Sequence, residues 1–252
     1  MKKLQFLIFL FVLAGSFSSF AGVHDGFDAL LQKYVGKTTV DYKGLKAKEA
    51  ELDAYLKVLA NVKIGKLSEK EEMSLWINAY NACTLKLILM HYPVDSIKDI
   101  STSKRWKWEG WNIGGEKMSL DSIEHVKLRP MGDPRIHFAI NCASFSCPAL
   151  LAEAFTAEKL EKQLVKATNS FFADEDRGMV VKEVNSFFGG KSEEIYISKI
   201  FSWFAVDFVQ KSGSVAKYLK QYAGEKYAKE LSELDEDGDL NYLDYDWDLN
   251  GK

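Results

Sequence analysis

Between Ser68 and Pro93 the chain repeats apolar side chains at a helical period, Met73, Trp76, Ile77, Tyr80, Cys83, Leu87 and Met90, and no other stretch limits its folding as strongly. Side chains returning every three or four positions make a helix face that other elements must cover. Ser68 with Glu71 is a capping box that opens this helix, and His91-Tyr92-Pro93 closes it. Asn78 and Asn81 lie one turn apart beside the stripe. The 252 residues are 47% apolar and 13% aromatic, enough to cover such a helix within a sizeable core.

The remaining periodic segments are shorter. Helices are expected at 24–34, 46–59, 121–129 (with Asp121 and Glu124 as a box-like start), 156–172, 198–208 and 215–222. A strand is expected at 135–141, where Ile136, Phe138 and Ile140 alternate with His137, Ala139 and Asn141, and another at 179–184. Residues 106–115, with Trp106, Trp108 and Trp111, suit two short strands or an exposed loop, and 241–249 an extended end. This irregular order predicts an α+β fold, a central antiparallel or mixed sheet packed by the long helix and several shorter ones. No repeat or Pro/Gly-rich hinge divides residues 22–252, so a single globular domain is expected.

Residues 1–21 are different in kind. Lys2 and Lys3 precede an apolar run at 4–14 and a small-x-small site, Ser19-Phe20-Ala21, which together form a secretory signal peptide. The run is shorter than the roughly 20 residues of a spanning helix, and no cysteine follows it for lipidation. An exported product, periplasmic or secreted, is therefore expected to begin at Gly22 and to keep no membrane span.

Net charge is −3, and −5 without Lys2 and Lys3, so no basic footprint for nucleic acid exists. A peptide-like or small-molecule substrate in the envelope is the expected partner; oligomeric state is not encoded in any of these features. Asp235 to Asn241 looks like a calcium loop, but Gly238 falls at position 4 instead of 6, and Asp246 stands where the loop wants Glu. A solvated acidic turn is expected there, with no metal and no cofactor.

Three cysteines in an exported chain leave one thiol unpaired if the others join. Cys142 and Cys147 close a small loop, while Cys83 lies on the helix stripe. A disulfide and a set of reduced thiols with one reactive member both fit.

Four segments carry a family resemblance: Trp76 to Ala82 (WINAYNA), Leu120 to His125 (LDSIEH), Asp133 to Ser144 with Ser146-Cys147-Pro148, and Asp244 to Asn250 (DYDWDLN). In this order they resemble the domain of unknown function 547 family across nearly all of residues 22–252. The resemblance implies kinship with papain-like or transglutaminase-like thiol enzymes.

A thiol nucleophile needs a lowered pKa and donors for an oxyanion. Cys147 precedes Pro148, a residue favoured at the first helical position, and so is a candidate to cap a helix; Cys142 sits where the strand bearing His137 ends. Of the four histidines, 24, 91, 125 and 137, none follows Cys147. A papain-like order of Cys before His would leave only Cys83 as nucleophile, on an apolar stripe that raises a thiol's pKa. If Cys142 or Cys147 reacts, the order is reversed, with His137 as base.

His125 is the second candidate base, and Glu124 an orienting group or a helix cap. Asn78, Asn81, Asn141 and Ser146, with Trp111 of the aromatic loop, are candidates to bind substrate or to fasten loops. The leading expectation is an exported thiol hydrolase or acyltransferase acting on an amide, isopeptide or thioester. The alternatives are a non-catalytic envelope-binding domain and a thiol-redox protein using Cys142 and Cys147.

Overall fold

The computed structural model describes residues 22–185, 190–235 and 240–251. The expected signal peptide, and most of the acidic turn at 235–241, lie outside them. Helices α1 (Asp25–Tyr34), α2 (Tyr42–Lys46) and α3 (Glu49–Ala60) precede α4 (Glu69–His91), the long helix. Its capping box forms as expected: Ser68 accepts from the Glu71 N–H, and Glu71 accepts from the Ser68 N–H at 2.8 Å.

Helix α4 is more central than an amphipathic stripe requires. The stripe is buried except at Met90, which is 46% exposed, and beside it Leu75, Ala79, Ala82, Leu85 and Leu89 are buried, as are Ser74, Asn78, Asn81 and Thr84. A helix apolar all round belongs inside a core. At its edge Lys86 binds Glu49 and Asp53 of α3 at 2.8 and 2.5 Å.

After α5 (Thr102–Arg105), a hairpin joins β1 (Trp111–Ile113), inside the expected aromatic stretch, to β2 (Glu116–Met118), which lies beyond it. Gly114 and Gly115 make its turn at φ +62° and +90°, values that favour glycine. A second sheet joins β3 (Met179–Asn185) antiparallel to β4 (Lys191–Ile197), which pairs in parallel with β5 (Asn241–Tyr242). The chain is thus α+β with a small mixed sheet, but α4 occupies the centre and the sheet is half exposed.

The expected strand at 135–141 is a helical turn instead, α7 (Ile136–Ala139). Asp133 accepts from the Arg135 N–H and, with Pro134, starts a tight turn whose bonds run from Ile136 to Asp133 and from His137 to Pro134. All four α7 residues are buried, so alternation along the sequence carries no inside and outside. Pro148 does not open a helix either; the next one, α8 (Leu160–Ala173), begins well downstream, and Cys147 caps nothing.

The helix expected from Asp121 starts one residue earlier, as α6 (Leu120–Ser122), capped by Ser119 in a box with Ser122. It runs directly into a π-helical segment, Ile123–Leu128, so Glu124 is no cap. The helix expected at 198–208 breaks at Phe204 into α9 (Ile200–Trp203) and α10 (Ala205–Ser212). Helices α11 (Val215–Tyr222) and α12 (Ala228–Glu233) follow.

The C-terminal stretch straps these parts together through bridges of Asp248 to Ser96, Leu249 to Ser144 and Gly251 to Val40. A Cβ on Gly251 would stand 1.9 Å from the Val40 carbonyl oxygen, so only glycine permits the last bridge.

Candidate functional site

Asparagines build the loop that carries Cys142 and Cys147. Asn81, from α4, donates to the Ala139 carbonyl at 3.0 Å and accepts the Asn141 N–H at 2.8 Å. Asn141 in turn donates to Pro148 O at 2.7 Å and accepts from the Ala143 N–H and from Asn250. Ala143 is held at φ +65°, a left-handed turn rare for an alanine. The loop is therefore pinned from α4 below and from the C-terminal strap above.

This pinning faces the two sulfurs toward common donors. The Cys142 N–H donates to Cys147 Sγ at 2.8 Å, while Cys142 Sγ lies 3.3 Å from the Tyr245 hydroxyl and 3.0 Å from Ser144 Oγ. All three cysteines are free thiols. Burial pushes the Cys142 thiol up, but hydrogen bonds from Cys147, Ser144 and Tyr245 outweigh it and bring the pKa down to about 6. Burial and the neighbouring Cys142 charge push Cys147 well above the usual thiol range. The pair shares one negative charge, and it resides on Cys142, which gathers more donors.

Cys142 and Cys147 open onto a cavity of about 200 Å³ that Glu124, His125 and His137 also line. Glu124 is 9% exposed. Burial, with the Cys142 charge beside it, raises its carboxyl to about 7 against a hydrogen bond from Tyr80 of α4. Two groups titrating near neutrality in one cleft are the environment in which acid–base chemistry is run.

His137 is 3% exposed and stacked on Phe204 at 4.0 Å between ring centroids. Its Nε2 meets Asp207 Oδ2 at 2.7 Å, and Arg129 grips the same carboxylate with Nε and Nη2 at 2.7 and 2.8 Å. Burial would raise the Asp207 carboxyl, yet these bonds hold it well below the usual carboxylate range. Burial also lowers the His137 ring, against the raising bond to Asp207. A neutral ring beside a carboxylate donates Nε2–H. Nδ1 is then a bare acceptor, buried and without a partner among the described residues.

His125 is more open; Arg129 Nη1 lies 3.1 Å from its Nδ1. The five residues expected to carry chemistry thus line one cavity, but not with the expected bonding. His137 shares no hydrogen bond with either sulfur among the described contacts, and its orienting partner is Asp207, not Glu124 or an asparagine.

The residues expected to bind substrate are placed elsewhere. Asn78 exchanges two hydrogen bonds with the Phe155 backbone, and Asn81 and Asn141 are spent on the loop. Ser146 Oγ accepts the Asp246 N–H, and Trp111 packs edge-on against Trp108 in the hairpin. None of them lines the cavity.

Aromatic residues line it instead. Trp203 of α9 and Tyr245 and Trp247 of the strap touch one another, with ring centroids 4.6 to 5.7 Å apart. Tyr245 and Trp247 stand in the DYDWDLN segment, the one sequence signal that marked this wall; Asp207, on an ordinary amphipathic helix, had none.

Fold and cavity together define an α+β domain presenting an ionised cysteine in a small aromatic-walled cleft. Residues 64–172 match the profile of the family described as Protein of unknown function, DUF547, and the chain is a member of that family over this segment. It contains α4, Glu124, His125, His137 and both loop cysteines; Asp207 and Tyr245 lie beyond it. Neither a search of curated proteins nor one of solved structures returned a match.

Proposed function

We propose that this domain is a thiol hydrolase or acyltransferase acting on an amide, isopeptide or thioester, with Cys142 as nucleophile. The observation that carries the reading is the donor set around Cys142 Sγ, which holds a thiolate at neutral pH without a base. Sγ attacks the substrate carbonyl carbon, and the S–C bond forms as the bond to the leaving nitrogen or sulfur breaks. Glu124, carrying a proton up to about pH 7, delivers it to the leaving atom. Water or an amine then attacks the thioester carbon and gives a proton to the Glu124 carboxylate, as the C–S bond breaks and the Cys142 thiolate departs. Residues 1–21 would place this activity in the periplasm or outside the cell.

Treatment with an activated acyl thioester tests it. The expected product is a single acyl adduct, mapped to Cys142 and absent in Cys142→Ala. An adduct on Cys83 or Cys147 alone, or none, overturns the assignment.

A second reading, dithiol redox chemistry, is favoured by one observation: Cys147 hydrogen-bonds Cys142. Its mark is a Cys142–Cys147 disulfide recovered from native protein alkylated before any reductant is added. That reading fails if both thiols are recovered alkylated.

A further inference from the structure

The cavity's wall has one consistent character. Asp121, Glu124 and Cys142 are its acidic groups, His125 and His137 its imidazoles, and Trp106, Trp203 and Tyr245 contribute rings. No lysine or arginine lines it among the described residues. Arg129, whose Nη1 lies 3.1 Å from His125 Nδ1 of the wall, has its charge met by the Asp207 carboxylate.

We infer that this cavity receives the primary ammonium of a short aliphatic chain, a lysine side chain or a small alkylamine, as the amine partner of the acyl transfer proposed above, on which the inference rests. An ammonium brings donors and positive charge to a site that offers acceptors, negative charge and aromatic faces. A carboxylate ligand would meet like charges, and an apolar one would supply no donor to the Asp121 and Glu124 carboxyl groups of the wall. Size agrees, since about 200 Å³ is below the range of drug-sized pockets and suits one side chain. The same aromatic wall already holds a cation on its rim, where Lys98 Nζ lies 4.2 Å from the Trp247 ring centroid.

The chemistry closes on these residues. Ionised Glu124 takes one proton from the ammonium, and the freed amine nitrogen attacks the Cys142 thioester. The C–N bond forms, the C–S bond breaks and its electrons return to Sγ. The second nitrogen proton passes to solvent as the amide product leaves. Run in reverse, the same site accepts the amine side of an isopeptide.

Binding can be measured without turnover. Nα-acetyl-lysine methylamide and its uncharged analogue, Nα-acetyl-norleucine methylamide, are titrated into Cys142→Ala protein by calorimetry. The lysine probe is expected to bind at least roughly tenfold more tightly, with affinity rising with pH as Glu124 ionises, at a lower pH than in wild type because the Cys142 charge that helps raise its carboxyl is gone.

The titratable and charged groups around Glu124 are Tyr80 from α4, Asp121 and Arg129 from its own segment, His125 and His137 on the same cavity, and, in wild type, Cys142 from the loop. Only Glu124 is raised to about 7 among them, so Glu124→Gln should flatten the pH dependence. Asp121→Asn, at a half-exposed position, should weaken binding several-fold while leaving the fold intact. Equal affinity for the two probes, or lysine binding unchanged in both variants, overturns the inference. A lysine probe that binds while wild type forms no acyl adduct sinks the acyl-transfer reading and leaves the subsite. An acyl adduct without lysine preference does the reverse.

Discussion

His137 Nε2 lies 2.7 Å from Asp207 Oδ2, and that carboxylate is simultaneously forked by Arg129. The bond fixes the ring's tautomer, so that Nδ1 faces its surroundings as an acceptor. Cys142 draws its donors from a different set of residues.

The two systems should therefore separate on mutation. Asp207→Asn frees the tautomer and leaves the Arg129 charge unneutralised beside His125 of the cavity wall, so acyl transfer to an amine should fall by at least roughly tenfold. Alkylation of Cys142 by iodoacetamide should keep its wild-type rate. A parallel fall in both rates would show that His137 ionises the thiol, contrary to the geometry.

Alkylation of Cys142 should follow a titration centred near pH 6, where its thiolate forms. Cys147 should stay slow until well above neutrality, and Cys83, fully buried on α4, should not react in folded protein. Tyr245→Phe removes one donor and should move the Cys142 midpoint upward. Peptide mapping across pH reads all three.

Glu124 gives a stability prediction with a definite sign. Its folded pKa, about 7, exceeds the ordinary 4.5, so between these values the native state binds more protons than the unfolded one. Stability contributed by this group is complete at low pH and is lost as pH rises toward 7. Glu124→Gln lacks the penalty. Urea melts at pH 4.5 and pH 7.5 should show the variant gaining on wild type by on the order of 3 kcal/mol, and an unchanged difference would contradict the buried carboxyl.

Asn81 supports the cysteine loop through two backbone groups, the Ala139 carbonyl and the Asn141 N–H. Asn81→Ala strands both in the core at about 1–3 kcal/mol each. Denaturation should reveal that loss, and the Cys142 alkylation midpoint should shift upward with the loosened loop.

If residues 1–21 are an export signal, the mature chain begins at Gly22. Intact mass of protein from its native envelope decides it; a mass that includes Met1 to Ala21 would exclude cleavage there.

Much of the fold could be read from local chemistry. The α4 capping box and helix α11 need only near neighbours, and each forms where the residues indicated. The five candidate catalytic residues were also visible, because Cys, His and Glu gathered at element ends are uncommon side chains for a core. Their roles were not. Alternation at 135–141 suggested a strand, but Asp133-Pro134 curls the chain and complete burial removes the two faces.

What the sequence by itself determined about this protein is the set of helices with strong caps and periods, the family, and the cysteine and histidine positions from which a site had to be made. Tertiary structure alone decided which sulfur carries the charge and which acid holds the histidine. Tyr245 reaches Cys142 across 103 positions and Asp207 reaches His137 across 70. A thiol's pKa depends on donors within a few ångströms, and sequence periodicity reports only on residues a few positions apart.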